Sequence, residues 1–228
     1  MQREFALAIA PIFNTALWWL DTITNTSRPA MRSEEIKDGY NSLVSKINLA
    51  KKKLEPNNQR VWELVQYAIV AWIDEQCCSL NWEGRTWWQN NSLEVSYFGS
   101  KNSHDAFYEN AEKAMRNRNA IEVYFLCVIL GFRGIYMDLR HNDPNYVARA
   151  NEFITRHRLP PDLREWLKRA AGVIPLGQSS SRLETVDREG SGAFPLAAKT
   201  SFVSSLIFCS FAIGALVTYL VFASIRPF

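Results

Sequence analysis

Apolar positions along this 228-residue chain recur at three- and four-residue spacing, and the two-residue alternation of a half-buried strand is nearly absent. The pattern predicts an all-α protein with about seven helices in residues 1–171. A first helix over 6–25 carries apolar residues on a wide face; Pro11 kinks it or delays its start, and Arg28-Pro29 closes it. Ser33-Glu34-Glu35-Ile36 reads as an N-terminal cap, because a serine oxygen accepts from free amides and acids suit the positive helix end. Ile36, Tyr40, Leu43, Val44, Ile47 and Leu54 continue that helix until Pro56-Asn57-Asn58 breaks it. The next helix, over 59–79, is the most apolar of this part and belongs at the centre of a bundle.

Residues 80–92 read as irregular, with a short turn or helix near 92–98 that ends at Gly99. A helix over 105–118 turns Phe107, Tyr108, Ala111 and Met115 inward. A second strongly apolar helix follows over 120–132, its end bracketed by Gly131 and Gly134. Helices over 144–157 and 162–171 complete the set, and Pro160-Pro161 fixes the start of the last. No internal repeat is present. From 172 to 199 the composition shifts to glycine, serine and mixed charge, the signature of a polar linker. As a free coil it would reach about 25–30 Å; a linker docked on the domain is the alternative.

Residues 201–225 contain no charged side chain, and Arg226-Pro227-Phe228 follow. As a helix that segment would rise ~37 Å, enough to cross a hydrocarbon core of ~30 Å with some tilt. A buried core helix can also be apolar all round. The length, the flanking Lys199 and Arg226, and the lack of a later apolar partner favour a membrane span over 200–225. The apolar N-terminal stretch differs from a secretory signal: Glu4 lies in the would-be basic region, Pro11 interrupts the run, and Trp18-Trp19-Leu20-Asp21 stands where a small-residue cleavage site would be. The expected topology is therefore a cytoplasmic domain over 1–171, a linker over 172–199, one span, and a periplasmic tail over 226–228.

Composition changes this picture little. With 47% hydrophobic and 21% charged residues the chain can bury a good core. A net charge of +3 is too small and dispersed to imply nucleic-acid binding. Lys51-Lys52-Lys53, the one dense basic run, suits a helix C-terminus or an anionic lipid surface. The four cysteines form no CxxC, and the three histidines have no ligand spacing, so no metal or cofactor site is expected.

Asp74 and Glu75 stand out chemically. Two adjacent carboxylates near the end of an apolar helix sit where the dipole disfavours them and where burial is costly without partners. Three arrangements could compensate: an ion pair with Arg85 or Arg133, an acidic cleft that receives a basic partner, or a catalytic acid/base dyad beside a sugar-stacking platform of Trp82, Glu83, Trp87 and Trp88. Adjacent helical positions point about 100° apart, a poor fit to two carboxyls flanking one glycosidic bond.

The stretch Ala68-Ile-Val-Ala-Trp-Ile-Asp-Glu-Gln76, the stretch Ile121-Glu-Val-Tyr-Phe-Leu-Cys-Val-Ile-Leu-Gly-Phe-Arg-Gly-Ile-Tyr136 and the C-terminal span together resemble the DotU/TssL (IcmH) family. The second stretch is similar to that family's Glu-x-x-Tyr-x-x-Leu-x-Leu-Gly-Phe-x-Gly-x-Tyr signature, carried here by Glu122, Tyr124, Gly131, Phe132, Gly134 and Tyr136. The resemblance implies a non-enzymatic inner-membrane subunit of a type VI secretion system, or of a type IVb relative. It implies a hook-like cytoplasmic domain of two small helical bundles, an IcmF/TssM-like membrane partner, and recruitment of TssK-like baseplate components. Two family stretches are replaced here, by Ser79-Leu-Asn-Trp-Glu-Gly84 and by Gly99-Ser-Lys-Asn-Ser-His-Asp-Ala-Phe107. The loop holding Trp82, Glu83 and Arg85 is accordingly an expected partner-facing surface specific to this system.

Ser210, Gly214 and Thr218 fall at i, i+4 and i+8 of the expected span. Small residues let helices approach closely in lipid, where packing drives association, so this stripe is the expected pairing face for self-association or for a partner's span. Gly214→Leu should weaken association of the isolated span in a membrane two-hybrid assay; an unchanged signal would remove the stripe from the interface.

Overall fold

The computed structural model describes residues 1–25 and 30–174. The Arg28-Pro29 stop, the expected linker, span and tail, and the Ser210/Gly214/Thr218 stripe lie outside the described residues. Those described belong to one compact unit, Met1–Ser180; the second unit, Ser181–Phe228, lies outside them.

Nine helices and no strand form among the described residues: α1 (Arg3–Thr24), α2 (Ser33–Ser79), α3 (Arg85–Asn90), α4 (Leu93–Phe98), α5 (Ser103–Ala114), α6 (Arg118–Ile129), α7 (Ile135–Asp138), α8 (Pro144–Arg156) and α9 (Leu163–Val173). The all-α reading holds. The count differs from the expected seven because two expected helices merge into α2, while the short helices α3, α4 and α7 are added. In α3, Gly84 makes this possible: a Cβ there would stand 2.2 Å from the Trp82 ring, so only glycine lets the chain turn over that indole.

Helix α2 is the axis of the unit. Its expected break shrinks to Asn58, whose extended backbone (φ −164°, ψ 69°) interrupts an otherwise continuous run of 47 residues. The start also differs from expectation. Ser33 is already inside the helix, and Glu35 does the capping by accepting from the Arg32 amide at 2.7 Å. After the break every residue from 65 to 74 is buried, which a helix reaches only when it is surrounded. Helices α1, α3, α4, α5 and α6 all pack on it, while α9 packs on α6 and α8 on α7.

Pro11 lies within α1 without ending it. The carbonyl it deprives of a donor belongs to Leu7, which is 54% exposed, so water can take that bond. Among the described residues α1 is the one helix long and apolar enough to cross a membrane. Its inner face is instead core: Ile9, Ile12, Phe13, Ala16 and Trp19 are buried, the Phe13 ring lying 5.2 Å from that of Trp72.

Two aromatic groups fix the helix directions. In the first, Trp19 of α1 meets Trp82 edge-on at 5.8 Å and Trp88 of α3 at 6.3 Å, while Tyr40 of α2 meets Trp88 at 5.4 Å. In the second, Phe107 of α5 stacks on Phe132 at 3.8 Å, and Tyr108 meets Tyr136 and Trp166 at 4.8 and 5.4 Å. The buried side chains of both belong to one continuous cluster.

Gly39 of α2 lies under Trp19, where a Cβ would stand 2.3 Å from the ring. Helix propensity alone would make Gly39→Ala stabilising by ~1 kcal/mol, whereas overpacking against a buried indole costs ~1–3 kcal/mol. Packing should win, and Gly39→Ala should lower the midpoint of chemical denaturation; an unchanged or raised midpoint would show that Trp19 can move aside.

Candidate functional site

Asp74 and Glu75 occupy the last two turns of α2 and point in different directions, as neighbours on a helix must. Asp74 is 5% exposed. Its Oδ1 accepts from the Trp88 indole at 2.8 Å and from the Leu93 amide at 3.0 Å, and its Oδ2 accepts from the Glu94 amide at 2.8 Å. These amides open α4, so the carboxylate closes the end of a helix remote in sequence. Glu75 accepts from the Arg133 amide at 2.6 Å and from the Gly134 amide at 2.8 Å. One carboxylate therefore holds the α3–α4 region, and its neighbour holds the turn between α6 and α7.

Compensation comes from amides and an indole, which corrects the ion-pair expectation. The Arg133 guanidinium donates to the carbonyls of Val128 and Phe132, at 3.0 Å each, and Arg85 is exposed. The sugar-stacking platform is corrected too. Trp88 is fully buried, and Trp82 is buried with its indole donating to the Cys77 carbonyl at 2.8 Å. Of the expected partner-facing loop, Glu83 and Arg85 are exposed and Trp82 is not.

Four of the signature residues, Gly131, Phe132, Gly134 and Tyr136, lie in or beside the turn that Glu75 grips. Gly131 (φ +112°) and Gly134 (φ +51°) adopt backbone conformations that L side chains rarely take. A Cβ on Gly134 would also stand 2.8 Å from the His104 carbonyl. The hydroxyls of Tyr124 and Tyr136 donate to the carbonyls of Leu64 (2.9 Å) and Pro160 (2.7 Å), and Phe132 fills the second aromatic group. Helix α6 begins earlier than the sequence suggests, at Arg118, so Glu122 sits one turn in and pairs with that residue at 2.8 Å.

Two further buried carboxylates escaped the sequence reading. Glu94 accepts from the Tyr67 hydroxyl at 3.0 Å and the Asn102 amide at 2.8 Å. Asp138 of α7 pairs with Arg149 of α8 at 2.7 Å and with His104 at 3.1 Å. Ser92, which caps α4 through the Val95 amide, marked the first as a helix start; nothing in the sequence marked the second. A recess of about 170 Å³ lies among Asp74, Glu75, Glu94, Lys101 and His104. It is lined by both signs of charge and is not a purely acidic cleft. No cluster of potential metal ligands occurs among the described residues.

Burial is the leading influence on both carboxyls. It pushes Asp74 up from 3.8 to about 6, against the lowering effect of its three donors, and it raises Glu75 against the two amides that stabilise its charge.

This is an all-helical unit whose polar centre is spent on holding helices together, the character of a scaffold. The sequence model of the family described as "Type VI secretion system protein DotU" matches residues 14–225, and the chain belongs to that family, a structural component of type VI secretion systems. Its fold is similar to that of SciP/TssL from enteroaggregative Escherichia coli 042, at TM-score 0.52 and 14% identity, over 84% of this chain and 98% of that one. DotU from Francisella novicida matches at TM-score 0.47 and 16% identity over 66% of this chain and 99% of that one. The cytoplasmic domain of TssL from Acinetobacter baumannii matches at 0.47 and 21% over 66% and 98%. No curated protein sequence matches the chain.

Because Asp74 holds its proton more tightly folded than unfolded, it contributes stability that is complete below its ordinary value of 3.8 and is lost as pH rises to about 6. Glu75 acts in the same direction. Asp74→Asn should flatten this part of the stability profile between about pH 4 and 6. It should also cost ~1–3 kcal/mol at pH 7, since the new amide cannot accept from Glu94. Chemical denaturation across that range checks both, and an unaltered slope would remove Asp74 as its source.

Proposed function

We propose that this chain is a non-enzymatic docking subunit of a type VI secretion inner-membrane complex. It is tail-anchored by residues 200–225, with its helical domain in the cytoplasm and its last residues in the periplasm. In this reading it pairs with an IcmF/TssM-like membrane protein and recruits TssK-like baseplate components. The observation that carries the proposal is the extent of the family match: residues 14–225 include most of the helical domain and the uncharged C-terminal segment.

The site supports a docking role over a catalytic one. Both oxygens of Asp74 are committed to structural donors, and a carboxylate so used is not available as a general acid or base. What the two carboxylates provide is rigidity: α4 and the α6–α7 turn are fixed to one helix end, so the surface around them keeps its shape for a partner. Glu83 and Arg85 stand exposed beside this junction, anchored through Trp82 and Trp88.

The test is co-purification of the full-length chain with the IcmF/TssM-like and TssK-like proteins of its own system. Both should be recovered with the wild-type chain. Glu83→Lys with Arg85→Glu should reduce recovery of the baseplate protein while leaving the thermal unfolding transition unchanged. Failure of the wild-type chain to retain either partner would overturn the docking reading; retention of both by the double variant would move the contact away from this loop.

A further inference from the structure

A groove of about 990 Å³ runs between α2, the end of α4 and α5. Its floor includes Leu64, Tyr97 and Phe98, all half-buried. Phe98 is held there by Tyr67, whose ring lies 5.0 Å away and whose hydroxyl is engaged by Glu94. Four cations line the groove, Lys51 and Arg60 from α2, Lys113 from α5 and Arg116 from the turn beyond it, against two acids, Glu55 and Glu63. The acids are already used: Glu55 pairs with Lys51 at 3.5 Å, and Glu63 accepts from the Gln59 amide at 2.9 Å. Lys113 donates to Asn110 at 2.8 Å. Among the described residues no carboxylate pairs with Arg60 or Arg116, and both are exposed.

We propose that this groove docks an acidic, amphipathic segment of a partner protein, its carboxylates on Arg60 and Arg116 and its apolar side chains on Leu64, Tyr97 and Phe98. Two features choose that occupant. Guanidinium groups take carboxylates in bidentate geometry, and two of them stand unmet in a mostly polar groove that also presents Leu64, Tyr97 and Phe98. The groove is at the upper end of the ~300–1,000 Å³ range of ligand sites, and its apolar floor lies below the charged rim. A flat bilayer surface would meet the cations and leave that floor empty; a helix or extended segment fills both. The groove is a different surface from the Glu83/Arg85 loop, so this proposal goes beyond the docking reading above and can fail without it.

The experiment uses the full-length chain in phosphatidylcholine nanodiscs and a fluorescein-labelled peptide of repeating Glu-Glu-Leu-Leu units, read by fluorescence anisotropy. The peptide should bind, weaken with added salt, and lose about tenfold or more in affinity for Arg60→Glu with Arg116→Glu. Phe98→Ala, which leaves the charges in place, should also weaken it. Both changes lie on solvent-facing or half-buried positions, and thermal unfolding of each variant verifies its fold. Absence of binding, equal binding to the double variant, equal binding of a Lys-Lys-Leu-Leu peptide, or displacement by phosphatidylglycerol vesicles would each overturn the proposal.

Discussion

Five donors converge on two consecutive carboxylates near the end of α2, and the placement of α3, α4 and the α6–α7 turn depends on them. Asp74 receives one indole and the first two amides of α4; Glu75 receives the two amides of the turn between α6 and α7. Burying a carboxylate in an apolar interior is expensive unless its lone pairs are used, and charge-assisted bonds to amides are about twice as strong as neutral ones. The cost and the compensation are both large and nearly local, so any displacement of α4 or of the turn leaves a buried charge unmet. That asymmetry specifies the structure more strictly than apolar contact could: hydrophobic packing tolerates a shifted register, whereas a carboxylate missing a donor does not.

The glycines of the signature turn follow from the same constraint. To present two successive amides to Glu75, the chain leaving α6 passes through positive φ at Gly131 and Gly134 and runs against the His104 backbone. Aromatic residues on either side then seal it, Phe132 against Phe107 and Tyr136 against Tyr108. His104 links this turn onward, since its ring meets Asp138, which in turn holds Arg149 of α8. Polar contacts thus join α2 to the turn through Glu75, and separately join the start of α5 to α7 and α8 through His104, Asp138 and Arg149.

Much of this was legible in the residues. The 3.6-residue period found the long helices, and Pro56-Asn57-Asn58 placed the interruption that Asn58 makes in α2. The placement of Asp74 and Glu75 signalled that something must compensate for them. The donors were not legible, because backbone amides carry no sequence signal and come from residues 19 to 59 positions away. Arginine looks like the obvious partner only because its charge can be read from the letter. Helix α3 was missed for a related reason: Arg85-Thr-Trp-Trp-Gln-Asn90 has no amphipathic period over so short a stretch, and it is helical because Trp88 must reach the core and Asp74. The groove between α2, α4 and α5 was equally invisible, since its four cations are spread over 66 positions, from Lys51 to Arg116.

These constraints divide the surface into parts with different freedom. Near the junction, Glu83 and Arg85 ride on a segment whose two tryptophans are pinned, so a partner meeting them encounters a preformed surface and pays little ordering entropy. Along the groove, Arg60 follows directly on the Asn58 interruption of α2, and Arg116 lies in a short turn between helices. Exposed arginines on such elements keep their rotamer freedom until a carboxylate arrives, and part of the binding energy goes into ordering them. A rigid face suits a lasting contact within an assembly; a groove lined by free guanidinium groups suits a contact that forms quickly through charge and weakens with salt. The two surfaces share no residue, and the groove itself spans the α2 interruption, with Lys51 and Glu55 before Asn58 and Arg60 and Leu64 after it.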